Sequence, residues 1–559
     1  MNKIFAVSII LLSLLPQLIH CQTPQWHWAK GFGGDYVDKA NALATDADGN
    51  VYMAGGFYSS SITFGNTTLY NTGVSDIFIV KFDSSGQVIW ANSFQGSAGS
   101  NNKATALTVD SHGNVIITGV FESPSLYYNG YAVNCTCLRD FFVAKISPSS
   151  GLIWMKAAVG PAFDGSSSIC TDQNDNIFIA GGFDSYVLSM DDVVLDKKGN
   201  GNPCTNAFIF KLNENGEAVW GTNFGEDSDD GIVIRAIKVK PDGNIVFCGN
   251  FATPRMGIGP DTIFNLDTIS PSISLDAFVI EMTPDFEYSD VKQIAGTDHD
   301  NIYDMDIDNE GNIAFTGCFN SNPLIIGSDT LTYIPPNTDA FTAMISSSGD
   351  FLWARSIGDD PIVADYNNCV FDSKGKIFIT GQYMYDTLFI ANDTLVGHSF
   401  PDFLLLKYNS EGETEYCRGA GDEGFDEAFA LTIDKENNIY IAGSYTSSVL
   451  VIGNDSLINI GAENCFLAKF SEYRRHDSLP DISFAVYPNP SDGFITVNPG
   501  SDFSQGYNLE VTNILGQRVF YMQADDRQLQ ELFLPFASGV YCVTLYTQLT
   551  RKSAKIIIE

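Results

Sequence analysis

The residues with the clearest chemical potential in this sequence are carboxylates that gather in short, widely separated segments. Carboxylate oxygens are preferred ligands of Ca²⁺, and dense negative charge attracts cationic partners. The segments contain Asp35 and Asp38; Asp227, Asp229 and Asp230; Asp298, Asp300 and Asp304; Asp359, Asp360 and Asp365; and Asp422, Glu423, Asp426 and Glu427. The sequence therefore predicts a surface for Ca²⁺ or a cationic partner; a solvated acidic rim is the alternative. The candidate metal ligands are Asp227, Asp229, Asp230, Asp298, Asp300, Asp359, Asp360 and Asp422.

Other catalytic and cofactor chemistry has no recognisable pattern in the sequence. Neither a nucleophile elbow nor a phosphate-binding loop occurs. Residues 46–50 begin like a calcium loop, but no Glu closes the twelve-residue pattern, and the related segment 372–376 carries Lys374 and Lys376. We therefore expect hairpin turns there, no catalytic residue, and no cofactor other than Ca²⁺. The histidines do not stand at metal-ligand spacing; they are His20, His27, His112, His299, His398 and His476.

The acidic segments belong to a repeat that returns seven times. Intervals of 62 to 68 residues separate the turn residues Asp46, Asp110, Asp172, Lys240, Asp308, Asp372 and Asp434. Each copy continues with a Gly/Asn turn, a second apolar strand and an aromatic residue two positions after a Gly. This regularity indicates a repeat architecture, and the equivalent aromatics are expected to pack in cores. These aromatics are Phe57, Phe121, Phe183, Phe251, Phe319, Tyr383 and Tyr445.

Each copy ends with a variable insert, a third strand such as residues 140–145, and a fourth strand typified by the one around Trp90. Four strands per copy predict propeller blades, so we expect an all-β fold with a seven-bladed β-propeller over residues 22–470. The last copy lacks its fourth strand, and residues 26–34 are expected to supply it and close the ring. The fourth copy diverges, with Lys240 in place of Asp and Glu281 in place of Lys.

Antiparallel blades alternate their connections between the two faces of a ring. The inserts after the second strand and the crossings from the fourth strand to the next copy therefore fall on one face. The acidic segments are those crossings. Because loops that converge on a rigid scaffold commonly form binding sites, we expect this face to be the interaction face.

Composition and the N-terminus indicate export. The chain has 559 residues, and 67 acidic against 30 basic residues give a formal charge of −37, which argues against binding nucleic acid or anionic lipid. Residues 1–21 are expected to be a signal peptide, with Cys21 as a weak lipidation candidate and no membrane span after its removal. Cys135 or Cys137 is a candidate disulfide partner of Cys204 in an oxidising compartment. Buried thiols are the alternative for Cys170, Cys248, Cys318 and Cys369.

The sequence motifs of the repeat resemble those of a known family. The pattern of Ala-Leu-x-x-Asp, Gly-Asn-Val-Tyr, Asp-x-Phe-Val-Ala-Lys and Trp followed by Gly-Gly is similar to the SBBP-type β-propeller repeats of exported bacterial proteins, over residues 26–470. The resemblance implies architecture and leaves the ligand open.

A different domain is expected after a linker at residues 471–481. Alternating strands over 482–559 predict a small Ig-like β-sandwich. The segment resembles the type A C-terminal sorting domain of the type IX secretion system of Bacteroidetes. That resemblance implies recognition by the outer-membrane translocon, removal by a sortase near residues 471–485, and attachment to a surface glycolipid. The matching residues are Tyr487, Pro488, Asn489, Pro490, Gly493, Gly516, Ser538, Gly539, Tyr541 and Lys555.

These observations predict a secreted or cell-surface binding or adhesion module, with an extracellular glycan or protein as its partner. A secreted hydrolase using the propeller face and a structural surface-layer component are the alternatives. Four triplets in the inserts resemble an O-glycosylation sequon. Their position in a hairpin explains their recurrence equally well. They are residues 261–263, 329–331, 393–395 and 455–457.

Overall fold

The computed structural model divides into two units, Met1–Tyr473 and Arg474–Glu559. The predicted signal peptide, Cys21, Cys137, Cys204 and most of the predicted linker lie outside the described residues. Within the described ranges no helix is long and apolar enough to cross a membrane. The structure describes residues 24–135, 138–198, 205–225, 231–258, 261–266, 274–332, 338–356, 365–384, 387–390, 393–472, 485–487, 494–498, 507–524, 530–534, 536–547 and 551–558.

The described part of the first unit is built from β-strands. In chain order they are β1 (Gln25–Phe32), β2 (Asp38–Thr45), β3 (Val51–Phe57), β4 (Ser61–Phe64), β5 (Thr67–Tyr70), β6 (Asp76–Phe82), β7 (Val88–Phe94), β8 (Lys103–Val109), β9 (Val115–Phe121), β10 (Ser125–Tyr128), β11 (Tyr131–Asn134), β12 (Asp140–Ile146), β13 (Leu152–Ala158), β14 (Asp164–Thr171), β15 (Ile177–Phe183), β16 (Val187–Met190), β17 (Val193–Asp196), β18 (Asn206–Leu212), β19 (Ala218–Phe224), β20 (Ile232–Val239), β21 (Ile245–Phe251), β22 (Arg255–Ile258), β23 (Asp261–Phe264), β24 (Asp276–Met282), β25 (Tyr288–Ile294), β26 (Asp300–Ile307), β27 (Ile313–Phe319), β28 (Leu324–Ile326), β29 (Asp329–Leu331), β30 (Asp339–Ile345), β31 (Phe351–Ser356), β32 (Asp365–Phe371), β33 (Ile377–Tyr383), β34 (Leu388–Ile390), β35 (Asp393–Leu395), β36 (Asp402–Tyr408), β37 (Thr414–Ala420), β38 (Asp426–Ile433), β39 (Ile439–Tyr445), β40 (Val449–Ile452), β41 (Asp455–Ile458) and β42 (Asn464–Ser471).

These strands form seven four-stranded antiparallel sheets, each accompanied by a two-stranded hairpin, within the described residues. Sheets 1 to 6 are β2-β3-β6-β7, β8-β9-β12-β13, β14-β15-β18-β19, β20-β21-β24-β25, β26-β27-β30-β31 and β32-β33-β36-β37; sheet 7 is β38-β39-β42-β1. The outer strand of sheet 7 therefore comes from the N-terminus, as the sequence predicts. It pairs from Gln25 opposite Ser471 to Phe32 opposite Cys465. The strand order fits propeller-like blades.

The first strands of the sheets, called the inner strands below, share one environment. Consecutive inner strands contact one another, and β38 also contacts β2. A cavity of about 380 Å³ is lined by residues from all seven inner strands. Each inner strand carries a β-bulge at an equivalent position, between Ala40 and Ala42 in β2 and between Ile234 and Ala236 in β20. This cavity is called the inner cavity below.

The second and third strands supply the cores of the sheets. All residues of β3 and β6 are buried, and all but Asp76 and Lys81 of β6 are uncharged, so both faces of these strands pack in the interior. The repeated aromatics confirm their predicted packing role, because Phe57, Phe121 and Tyr445 have no exposed surface. The Gly that ends the apolar run is required by close approach: a Cβ on Gly55 would lie 1.8 Å from the Lys39 carbonyl oxygen.

The variable inserts form two-stranded hairpins that pack along the outer strands of the sheets, as β41 does on β1 and β29 on β31. They also contact the crossings, where Gln95 pairs with Tyr127 of β10. Asp455 and Asp329 in these hairpins accept hydrogen bonds from the edge amides of Ala29 and Ala354, both at 2.8 Å. The hairpins thus cover sheet edges that would otherwise be open. The neighbouring hydroxyl residues are exposed, so the sequon-like triplets suit both a hairpin and a glycosylation site.

The divergent fourth sheet keeps an ion pair with its two partners exchanged. In sheets 1 and 2 the turn aspartate pairs with a lysine of the third strand, Asp46 with Lys81 at 3.0 Å and Asp110 with Lys145 at 2.7 Å. In sheet 4, Lys240 occupies the turn and pairs with Glu281 at 3.0 Å, with Lys240 buried. The substitutions noted in the sequence are therefore compensatory.

Restoring the usual residue at only one of these two positions should destabilise the protein strongly. Lys240→Asp would place a carboxylate against Glu281 without a counter-charge, and we expect a loss of about 3 kcal/mol or more of unfolding free energy. The double variant Lys240→Asp with Glu281→Lys should recover most of that loss. Urea unfolding of the wild type, both single variants and the double variant measures the coupling; additive effects would contradict the exchanged pair.

The second unit is a small two-sheet structure with its own core. Its strands are β43 (Ala485–Tyr487), β44 (Phe494–Asn498), β45 (Tyr507–Asn513), β46 (Arg518–Ala524), β47 (Gln530–Phe533), β48 (Gly539–Tyr546) and β49 (Arg551–Ile558). They form the sheets β43-β44-β47 and β46-β45-β48-β49. Val511, Val543 and Leu545 are fully buried in the cluster that the two sheets share.

Candidate functional site

The crossings between consecutive sheets, called crossing loops below, are fixed by a repeated hydrogen-bond chain. In the loop before β2, the amide of Tyr36 donates to Ser59 Oγ at 2.8 Å, and that hydroxyl donates to Asp38 Oδ2 at 2.7 Å. Equivalent Asp–Ser pairs are Asp164 with Ser185, Asp300 with Ser321 and Asp426 with Ser447. The aspartates are fully buried. The crossing loops are therefore held rigidly on the sheets beneath them.

Several predicted acidic candidates turn out to belong to this internal scaffold. Asp38, Asp300 and Asp426 were placed on the acidic interaction face, but burial and the serine hydroxyls remove them from solvent. The prediction that Asp304 lies on a crossing loop is also wrong, because Asp304 lies within β26 and lines the inner cavity. The residue type alone does not distinguish Asp38, Asp300 and Asp426 from exposed acids, since the difference is made by the serine that binds each of them.

Two predicted metal-ligand candidates, Asp298 and Asp422, are exposed on crossing loops. Asp227, Asp229, Asp230, Asp359 and Asp360 lie outside the described residues. Ca²⁺ binding by the crossing loops stays a prediction. The turn segment 46–50 is explained without a metal, because Asp46 Oδ1 accepts hydrogen bonds from the amides of Asp48 and Asn50 at 3.0 and 2.9 Å.

The buried Asp300–Ser321 pair should make stability depend on pH in an unusual direction. Burial raises the pKa of Asp300 from 3.8 to about 7, and the hydrogen bond from Ser321 opposes the shift only partly. Because the folded-state pKa lies above the unfolded value, the stabilisation is complete below pH 3.8 and is lost as the pH rises through about 7.

Asp300→Asn should therefore stabilise the protein more at pH 8 than at pH 5, by a difference on the order of 2 to 3 kcal/mol. The chain offers a precedent, since Asn102 holds the equivalent place in sheet 2 and accepts from Ser123 Oγ at 3.1 Å. Urea unfolding at the two pH values checks this, with Asp422→Asn as the exposed control. An equal effect of Asp300→Asn at both pH values would refute the titration of this carboxyl group.

Two exposed aromatic side chains contact each other where sheets 6 and 7 meet. The rings of Phe400 and Phe425 lie 4.8 Å apart and are 40% and 46% exposed. Asp422 and Glu423 precede Phe425 on the same crossing loop and are exposed. Behind them, His398 Nδ1 lies 2.7 Å from Asp402 Oδ2, and this hydrogen bond raises the pKa of His398. We call Phe400, Asp422, Glu423 and Phe425 the aromatic sector.

The backbone of the aromatic sector is anchored at Gly424 and Phe425. The Gly424 amide donates to Ser447 Oγ at 3.0 Å, and the Phe425 amide donates to Thr446 Oγ1 at 2.7 Å. A rigid, partly exposed aromatic pair beside carboxylates can contact an apolar sugar face or a hydrophobic side chain at little entropic cost. Sequence inspection missed these aromatics because they do not recur at one column of the repeat.

A histidine–carboxylate group on the other side of the sheets was also missed. His112 Nδ1 lies 3.1 Å from Asp175 Oδ2, next to Asp110, in turns of sheets 2 and 3. The Lys145 ammonium sits 2.7 Å from Asp110 Oδ2. Since that positive charge occupies the carboxylate that a metal would need, we assign no metal to this group.

The inner cavity brings together polar residues that the sequence does not mark as related. Arg235 and Lys238 come from β20, and Asp304 comes from β26. Lys238 Nζ lies 3.2 Å from Asp306 Oδ1, and the amide of Cys369 donates to Asp304 Oδ2 at 3.1 Å. Burial raises the pKa of Asp304 to about 6. The divergence of the fourth repeat, which contains Arg235 and Lys238, is the sequence feature that could have indicated this cavity.

The sorting-motif residues of the second unit occupy turns and strand starts. Gly516 has φ +76° at the tip of the β45–β46 hairpin, where Asn513 Oδ1 accepts from the amides of Leu515 and Gln517, both at 3.0 Å. Tyr541 donates to the Ala537 carbonyl at 2.8 Å. Ser538 and Lys555 are exposed, and Gly539 begins β48. Tyr487 lies in β43, whereas Pro488, Asn489, Pro490 and Gly493 lie outside the described residues.

Comparison with known proteins supports a propeller module with an export tail. An uncharacterized WD repeat-containing protein of Acanthamoeba polyphaga mimivirus is 22% identical over 540 residues, which cover 80% of this chain and 38% of that protein. The chain thus spans well under half the length of this relative. Among solved structures, Sqt1 from Chaetomium thermophilum is 10% identical with a TM-score of 0.38, over 79% of this chain and 99% of that one. A Synechocystis apocarotenoid oxygenase variant is 12% identical with a TM-score of 0.36, over 79% and 94%.

Residues 485–559 match the family described as secretion system C-terminal sorting domain. The second unit is thus a type IX sorting domain, as the sequence predicts. The protein is exported, to the medium or to the cell surface, and is handled by the type IX secretion system.

Proposed function

We propose that the chain is an exported binding module whose closed, seven-bladed β-propeller presents the aromatic sector to an extracellular glycan or protein. The observation that carries the proposal is the exposed Phe400–Phe425 pair on a loop fixed by Ser447 and Thr446. A surface that is apolar, exposed and rigid is typical of recognition sites. The repeats would be of the SBBP type and the source a member of the Bacteroidetes.

The propeller form is supported by the inner strands. Their circular succession of contacts, the shared inner cavity and the pairing of β1 with β42 all suit a closed ring of seven blades. A ring without open edges can hold its loops in fixed positions, which favours binding over flexible tethering. We expect the module to lack enzymatic activity.

Binding to intact cells and to a glycan array tests the function. The labelled wild-type protein should bind a restricted set of targets, and Phe425→Ala or Phe400→Ala should weaken that binding by roughly tenfold. Phe389→Ala is the matched control, because Phe389 is 69% exposed on an insert hairpin of sheet 6, outside the aromatic sector. Equal binding by all three variants would exclude the aromatic sector, and turnover in a hydrolase panel would favour the enzymatic alternative.

A further inference from the structure

The inner cavity has the size and lining of a small-molecule site. Its volume of about 380 Å³ falls within the usual range for ligand pockets, and hydroxyl and amide side chains contribute much of its wall. Thr105, Thr108, Ser167, Tyr303 and Asn368 come from four different sheets. The hydroxyls of Thr105 and Ser167 donate to backbone carbonyls, and that of Tyr303 lies 3.1 Å from Cys318 Sγ, so these oxygens face the cavity as acceptors, whereas Thr108 and the Asn368 amide group can donate.

The bulge position decides which side chain each inner strand turns toward the cavity. A bulge re-aims the extra residue, and Asn41, Thr105, Ser167, Arg235, Tyr303 and Phe429 all line the cavity from this position. Asn41 donates to the Ala104 carbonyl at 3.0 Å and Ser167 to the Ile234 carbonyl at 2.5 Å, each on the next sheet. Those bulge residues therefore join neighbouring sheets.

Arg235 does not take part in such a connection. Among the described residues, its guanidinium has neither a hydrogen-bond partner nor an ion pair, and the side chain is exposed to the cavity. The other cation, Lys238, is already paired with Asp306 at 3.2 Å. A guanidinium with unused donors, held on a rigid strand, is suited to a carboxylate, which it can engage through two parallel hydrogen bonds.

We infer that the inner cavity binds a small hydroxylated carboxylate of the sugar-acid class, with its carboxylate on Arg235 and its hydroxyls on the surrounding polar side chains. Asp304, on the neighbouring inner strand, supplies an acceptor for ligand hydroxyls. The site is separate from the aromatic sector, so it adds a second ligand to the proposed binding function. The divergence of the fourth repeat then has a functional reason at Arg235.

Titration of the full-length protein with D-glucuronate, followed by calorimetry and saturation-transfer NMR, tests this inference. Glucuronate should bind saturably, and uncharged D-glucose should bind at least about tenfold more weakly. Arg235→Gln should weaken glucuronate binding by about tenfold or more. Arg255→Gln is the matched control, because it removes the same charge from an exposed insert hairpin of the same repeat.

Three results would each overturn the assignment of a sugar-acid site to Arg235. They are equal binding of glucose and glucuronate, unchanged binding in Arg235→Gln, and the absence of saturable glucuronate binding. Arg235→Gln must keep the wild-type unfolding midpoint for its loss of binding to count as support; Arg235→Lys, which keeps the charge but not the fork, should then bind with intermediate affinity. Phe425→Ala should leave glucuronate binding unchanged, so failure of the aromatic sector would not affect this result.

Discussion

A variant that lacks residues 474–559 should fail to reach the medium or the cell surface and should accumulate inside the cell. The matched sorting domain occupies residues 485–559, so the deletion removes the segment that the secretion system recognises. The first unit should still fold, because the second unit has a core of its own around Val511 and Val543. Immunoblots of medium, surface-protease-treated cells and periplasmic extract would show where the truncated protein resides.

A pair of point variants distinguishes loss of the sorting surface from loss of chain length. Val543→Asp buries an unpaired carboxylate in the core of the second unit, at a cost of about 3 kcal/mol or more, and should block export like the truncation. Val519→Asp makes the same substitution at an exposed position on β46 and should be exported normally. Export of the truncated chain at the wild-type level would refute the role of this unit.

The sheets were predictable from the sequence because their signals are local. Apolar runs of about seven residues, separated by Asn/Gly turns, specify a hairpin whatever the rest of the chain does. Even the non-local pairing of β1 with β42 could be predicted, since the last copy lacks a Trp strand and Trp26 and Trp28 stand unassigned near the N-terminus. In a repeat protein, a strand that is missing from one copy identifies the distant segment that must pair there.

The candidate sites were less predictable because they depend on partners that lie far apart along the chain. Asp38 and Asp35 are three residues apart, yet Asp38 is buried under Ser59 whereas Asp35 binds Ser60 near the solvent. The spacing of 21 residues between aspartate and serine, repeated in four copies, is the sequence signal for these buried pairs. The position of Arg235 in a shared cavity could not be predicted, because residues from seven inner strands together form that cavity.

Trp28→Ala should destabilise the protein about as much as Trp90→Ala, by roughly 3 kcal/mol in each case. Trp90 lies on the outer strand of sheet 1 and packs 6.0 Å from Tyr52, and Trp28 lies on β1 and packs 6.2 Å from the equivalent Tyr440 of sheet 7. If β1 is a full member of sheet 7, the two tryptophans have the same surroundings, although Trp28 is more than 400 residues from its partner along the chain. Urea unfolding of the two variants gives the comparison.

Removing the segment 24–34 altogether should have a larger effect, because it exposes the edge of β42 and removes the Ala29–Asp455 hydrogen bond. We expect a lower unfolding midpoint and association between copies through the open edge. A synthetic peptide of residues 24–34, added in excess, should restore the midpoint and the monomer by mass action, whereas a scrambled peptide should not. If Trp28→Ala is neutral and the deletion keeps the wild-type midpoint, β1 does not complete sheet 7 in solution, and the proposed closure of the ring fails with it.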